Sequence, residues 1–140
     1  RIYDRVLVMD IEKITRLPFK RKSFDCIVLA DILEHLREPE SLLRTVSQYL
    51  ADDGVLVVSS PNFEFILNRA IIMLGKFEYS QKGILDKTHL RFFSMKSLIR
   101  IIQEAGYDIT LVRGYINTRP SLRFLDSIAR LFTTLLAYQF

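Results

Sequence analysis

The chain has 140 residues, 49% of them hydrophobic, which suffices to bury one sizeable core and makes a single domain over 1–140 the expectation. Its 20 Lys and Arg against 16 Asp and Glu leave a formal charge of +4 with no basic run, weak support for a nucleic-acid or anionic-membrane partner because most such excesses only solvate a surface, so no nucleic acid is expected. A lone cysteine, Cys26, excludes a disulfide framework and a paired-cysteine zinc site; with no secretory leader and no apolar run near the ~20 residues of a membrane span, a cytoplasmic setting without stable membrane insertion is expected.

In chain order, "YDRVLVMD" (3–10) reads as a first strand ending at Asp10, "FDCIVLAD" (24–31) as a second and "VLVVSS" (55–60) as a third. The first is an alternating apolar run and the other two are continuous runs of Val, Ile and Leu, which together predict strands buried on both faces, as in a parallel sheet covered by helices. Between the second and third, "EPESLLRTVSQYL" carries Pro39 and acids in its first turn, and Leu42, Leu43, Val46 and Leu50 along one face, so a helix is predicted there until "ADDG" stops it. Strand, helix, strand makes a crossover unit and sets the class as α/β, a partial doubly wound, Rossmann-like sheet with flanking helices.

After Pro61, apolar residues recur at helical spacing from Phe63 to Leu74, on a stripe too wide for one contact. The plain reading is a helix wedged between the sheet and another element. The sharper one is a substrate lid, a dimer face or a membrane-touching helix. Ser94 is placed to cap a helix over "MKSLIRIIQEA", which Gly106 ends. A strand over "YDITLVRGYI" (107–116), a helix over "PSLRFLDSIARLFTT" (120–134) and a last strand from "LLAYQF" complete the pattern. The start at Arg1 without Met, and the apolar final residues, read as a piece of a longer protein.

Ligands of an open parallel sheet sit beyond the carboxyl ends of its strands, which points to Asp10, Asp31 and the Pro61-Asn62 pair. The ordered series "DIEKITRLPFKRKSFDCIVLADILEHL", "YLADDGVLVVSSPN" and "DKTHLRFFS…AGY" resembles the class I S-adenosylmethionine-dependent methyltransferases, in particular the small-molecule branch of ubiquinone-type O-methyltransferases. The resemblance runs from about Tyr3 to Phe140. It implies S-adenosylmethionine as cofactor, a small-molecule acceptor and methyl transfer, with a hydroxyl as the expected acceptor atom. Asp10 would receive the adenine amino group and the backbone at Ile11 the ring, while Ala30 and Asp31 would lie beside the methionine part.

Within the same resemblance, His35 in "LEHL" and Glu34 beside it face the methyl group or the substrate, and "DKTHLRFFS" lies over the mouth of the site. His89 would then be a base for a hydroxyl acceptor and Arg91 a clamp for an anionic group. The alternative is that His89 and Arg91 only tie the loop to backbone carbonyls and to Asp86, while Phe92 and Phe93 anchor the helix that Ser94 caps. No residue is assigned to a metal. The family's glycine-rich loop is not found among the five glycines, so the chain matches the substrate side of the fold, and the cofactor-binding strands are expected upstream. A second class of function is a non-catalytic methyltransferase-like fragment, or an association module forming a homodimer through an unpaired first strand or through the 63–74 helix.

Overall fold

In the computed structural model, the described residues are 4–81 and 83–114; the backbone of Leu67 is described without its side chain. Residues up to 108 belong to one compact unit, and 109–114 are the described start of a second. The expected helix over 120–134, the last strand and the end of the strand over 107–116 lie outside the described residues.

The central element is a parallel pair, β1 (Phe24–Ala30) and β2 (Leu50–Ser59), joined by helix α1 (Pro39–Ser47). A parallel pair needs such a crossover because the chain must return to the starting end of the sheet. The ladder runs in register from Cys26 opposite Val55 to Ala30 opposite Ser59. Before it, Phe24 pairs with Leu50, so Asp25 stands against Ala51, Asp52, Asp53 and Gly54. The segment "ADDG", expected only to stop the helix, is thus absorbed into β2, and Leu50 belongs to that strand, not to the helix. Gly54 is fixed by close approach: a Cβ there would lie 2.9 Å from the carbonyl oxygen of Phe24 and 3.0 Å from two backbone atoms of Ala51.

Two expectations about strands are corrected. Residues 5–10 form no ladder and are exposed apart from half-buried Leu7, with Val8 99% exposed, so "RVLVMD" does not pair with "CIVLA". Residues 107–114 likewise form no strand. Nor is the sheet buried on both faces: Cys26, Val28, Val55 and Val57 are exposed, while Ile27, Leu29, Leu56 and Val58 are at least half-buried. The alternation is that of a sheet covered on one side only.

The covered side supplies the core. Leu42, Leu43 and Val46 of α1 are buried together with Leu29, Leu33, Leu36 and Tyr49, and with Ile101 and Ile102 of α3 (Met95–Glu104), which packs on α1. Tyr49 also holds the chain ahead of β1: its hydroxyl accepts the N–H of Leu17 at 2.7 Å. The helix expected after Pro61 is shorter, α2 (Ile66–Met73), and Gly75 at φ +70° follows it.

Candidate active site

The carboxyl end of β1 turns sharply at Asp31, whose φ of +50° lies in the left-handed region that Asp tolerates better than most residues. The turn is held by Ser59 at the end of β2. Its hydroxyl donates to Asp31 Oδ1 at 2.8 Å, and its carbonyl accepts the Asp31 N–H at 3.1 Å. The next residues wind into a 3-10 turn, Leu33–His35.

Within that turn Glu34 is almost sealed from solvent, at 1% exposure. Its backbone carbonyl accepts two N–H groups, from Leu90 at 2.8 Å and Arg91 at 3.0 Å, which ties the loop holding "DKTHLRFFS" to this turn. Its side-chain Oε2 accepts the Ser60 hydroxyl at 3.1 Å, whereas Oε1 is buried with no hydrogen-bond partner among the described residues. A buried acceptor of this kind costs stability unless it is satisfied, so the position suits a water, a donor or a cation.

The loop above is built by its own polar residues. Asp86 Oδ1 accepts the backbone N–H and the hydroxyl of Thr88, both at 2.8 Å, and these bonds hold its carboxyl below the usual value. His89 follows. Its Nδ1 lies 3.0 Å from the Ile84 carbonyl, and His35 Nδ1 lies 3.1 Å from the Thr88 carbonyl. A carbonyl can only accept, so each ring carries its hydrogen on Nδ1 and, when neutral, a lone pair on Nε2. The two rings stand edge to face with centroids 4.8 Å apart.

Glu34, His35 and His89 thus converge, with one ligand-type atom from each lying within 4.8 Å of the other two. These side chains are proton acceptors, and their types also suit a divalent ion that favours imidazole. Phe92 closes one side, 6.4 Å from His89 and 4.8 Å from Phe63 between ring centres, and Phe93 is buried beneath.

Arg91 is drawn the other way. Its Nε donates to the Arg37 carbonyl at 3.0 Å, Nη2 donates to the same oxygen, and Nη1 lies 3.9 Å from Glu40 of α1. Its guanidinium therefore ties the loop to the start of α1. Of the polar residues in "DKTHLRFFS", His89 joins the cluster and Arg91 braces it.

Asp10 and Ile11 lie on a separate segment. Asp10 caps the 3-10 turn Ile11–Lys13, accepting the Glu12 N–H at 3.2 Å, and Lys13 sits 3.1 Å from its carboxylate. The Lys13 contact, more than any other, holds the Asp10 carboxyl below its usual value. Glu12 fastens this turn to the site, since its Oε1 accepts the Arg37 N–H at 2.6 Å. Next to Asp10 a shallow groove is lined by Met9, Arg16, Leu17, Pro18 and Phe19.

Sequence reasoning sets Glu34 and His35 toward the methyl group or the substrate and His89 over the mouth of the site; the structure brings these three side chains together and adds Ser60, which that reasoning passes over. The signal for Glu34 was its place immediately before His35, in the turn after a strand. Nothing local marks Ser60, whose part depends on β2 ending beside that turn.

A methyltransferase-domain family model matches residues 4–112. The chain belongs to that family. It is 27% identical over 115 residues to the ubiquinone biosynthesis O-methyltransferase of Glaesserella parasuis serovar 5, the match covering 81% of this chain and 48% of that protein. A Thermotoga maritima structure, described as a SAM-dependent methyltransferase and possible histamine N-methyltransferase, superposes with a TM-score of 0.57 at 26% identity, over 75% of this chain and 46% of that one. A second structure, from Bacillus halodurans C-125, shares the fold at a TM-score of 0.50 and 20% identity, over 70% and 42% of the two chains. The methyltransferase chain described here therefore spans less than half the length of these relatives. Its parallel β1–α1–β2 unit is part of their Rossmann-like sheet.

The family implies S-adenosylmethionine. The groove lined by Met9, Arg16, Leu17, Pro18 and Phe19 starts one residue before Asp10, and its mostly apolar walls are of a kind that would suit a flat ring such as the adenine of that molecule.

Proposed function

We propose that this chain forms the acceptor side of an S-adenosylmethionine-dependent methyltransferase that methylates a hydroxyl on a small molecule. The carrying observation is the His89 tautomer: with Nδ1–H committed to the Ile84 carbonyl, the Nε2 lone pair is the one available to take a proton. S-adenosylmethionine supplies an electrophilic methyl group on a sulfonium centre, with Asp10, Ile11, Ala30 and Asp31 as the residues to hold it.

His89 accepts the hydroxyl proton at Nε2 as the oxygen becomes the nucleophile. An imidazole whose ordinary pKa lies near ~6.5 is a competent base at neutral pH. Glu34, buried against the two rings, favours the imidazolium that results. His35, held by Thr88, fixes the opposite wall, and Phe92 and Phe63 offer an apolar face to the body of the acceptor. The O-methyltransferase relative supports a hydroxyl acceptor.

The test uses the full-length enzyme. His89→Ala is expected to lower kcat by ~100- to 10,000-fold, the usual worth of a general base, while the Kd for S-adenosylmethionine stays within about twofold. A variant that turns over normally would remove His89 from the chemistry and leave it as a loop anchor.

A further inference from the structure

Arg37 has no part in the methyl-transfer chemistry, yet both of its backbone groups are taken, by side chains 25 residues before it and 54 after it. Its N–H donates to Glu12 Oε1 at 2.6 Å, and its carbonyl accepts Arg91 Nε at 3.0 Å and Arg91 Nη2 as well. Each of these bonds has one charged partner, which makes it roughly twice as strong as a neutral one. Arg37 itself can yield little, because Leu36 before it is buried and so is Pro39, which opens α1 two residues on.

The two segments joined in this way serve opposite sides of the reaction. Glu12 lies in the turn Ile11–Lys13, which follows Asp10 and buries none of its residues, and residues 5–10 ahead of it form no ladder. Among the described residues the turn's other hydrogen bonds stay local, joining Asp10 to Glu12 and Lys13, so Glu12 is its tie to the body of the chain. Arg91 belongs to the loop that carries His89. A segment with so few ties samples many positions, and a ligand held at Asp10 and Ile11 narrows them. Glu12 is then kept on the Arg37 N–H, the φ and ψ of Arg37 set where its carbonyl points, and the Arg91 fork closed on that oxygen sets the loop.

We propose that Glu12 is a positioning residue: through the Arg37 backbone and Arg91 it couples occupation of the cofactor side at Asp10 to closure of the loop that brings His89 over the acceptor. This deepens the methyl-transfer reading and rests on it, and it implies an order, cofactor before acceptor.

The experiment measures hydrogen exchange at the Leu90 and Arg91 amides of the full-length protein, with and without saturating S-adenosylhomocysteine, the demethylated product, which fills the cofactor side alone. In the wild type the ligand is expected to slow both amides about fivefold or more, the lower end of ordinary coupling between sites. Glu12→Ala is expected to bind the ligand with neither amide slowed and, coupling being reciprocal, with a Kd raised by the factor of protection lost. Glu12→Gln keeps an Oε1 acceptor and should restore the slowing, which an effect of lost charge alone would not allow. Adding Arg91→Ala to Glu12→Ala should raise the Kd no further, since both lie on one link. Equal slowing in wild type and Glu12→Ala, or no slowing in a wild type that binds the ligand, would overturn the coupling and leave the methyl-transfer reading standing. A wild type that binds no S-adenosylhomocysteine would overturn both.

Discussion

At the scale of single residues, the two imidazoles show how far a sequence reading reaches. "LEHL" and "THL" announce histidines near strand ends, but which ring nitrogen holds the proton depends on the Thr88 and Ile84 carbonyls, set by the fold of the loop. The same holds for Arg91, whose planar fork reads as an anion clamp until the Arg37 carbonyl is found beneath it. Tyr107 gives a residue-scale prediction. Burial pushes its phenol up to about 12, opposed by Ser47, and its hydroxyl donates to the Leu43 carbonyl at 2.8 Å. Since the folded value lies above the ordinary ~10, the folded state favours the neutral phenol. That contribution is complete below pH ~10 and is lost as pH rises from ~10 toward ~12. Denaturant titrations across this range should show stability falling, with a visibly shallower fall for Tyr107→Phe, which at neutral pH should cost about 1 kcal/mol for the lost hydrogen bond.

Elements were legible where their own residues decide them. Pro39 and the acids before α1, and Ser94 before α3, are local signals, and both helices begin where these predict. At Ser94 the capping is reciprocal: its hydroxyl accepts the Ser97 N–H at 3.0 Å while Ser97 Oγ accepts the Ser94 N–H at 2.9 Å. Ser94→Ala should therefore lower stability by about 0.5–2 kcal/mol, read as a shifted urea midpoint with unchanged m-value. A loss restricted to a few tenths of a kcal/mol would mean that Ser97 caps α3 unaided. Strands were less legible, because a strand exists only through its neighbour. Residues 5–10 alternate well enough, yet no described segment lies beside them to complete a ladder. The same dependence explains α2: periodicity located a helix after Pro61, but which face is covered depends on what stands next to it.

For the molecule as a whole, the α/β class followed from one crossover, because a parallel pair admits few connections. The shape of the site did not, since it joins residues far apart in sequence: Asp31 with Ser59, Glu34 with Ser60, His35 with Thr88. No window of sequence contains those pairs. The most consequential of these long-range links is the Glu34 carbonyl, shared by the amides of Leu90 and Arg91. One atom thereby carries two of the bonds that join the loop to the turn after β1, beside those from His35 to the Thr88 carbonyl and from Arg91 to the Arg37 carbonyl. The Leu90 and Arg91 amides should exchange with deuterium slowly and at the same rate, although both side chains are exposed. Unequal rates at Leu90 and Arg91 would show that the loop peels residue by residue; equal ones, that it opens as a unit.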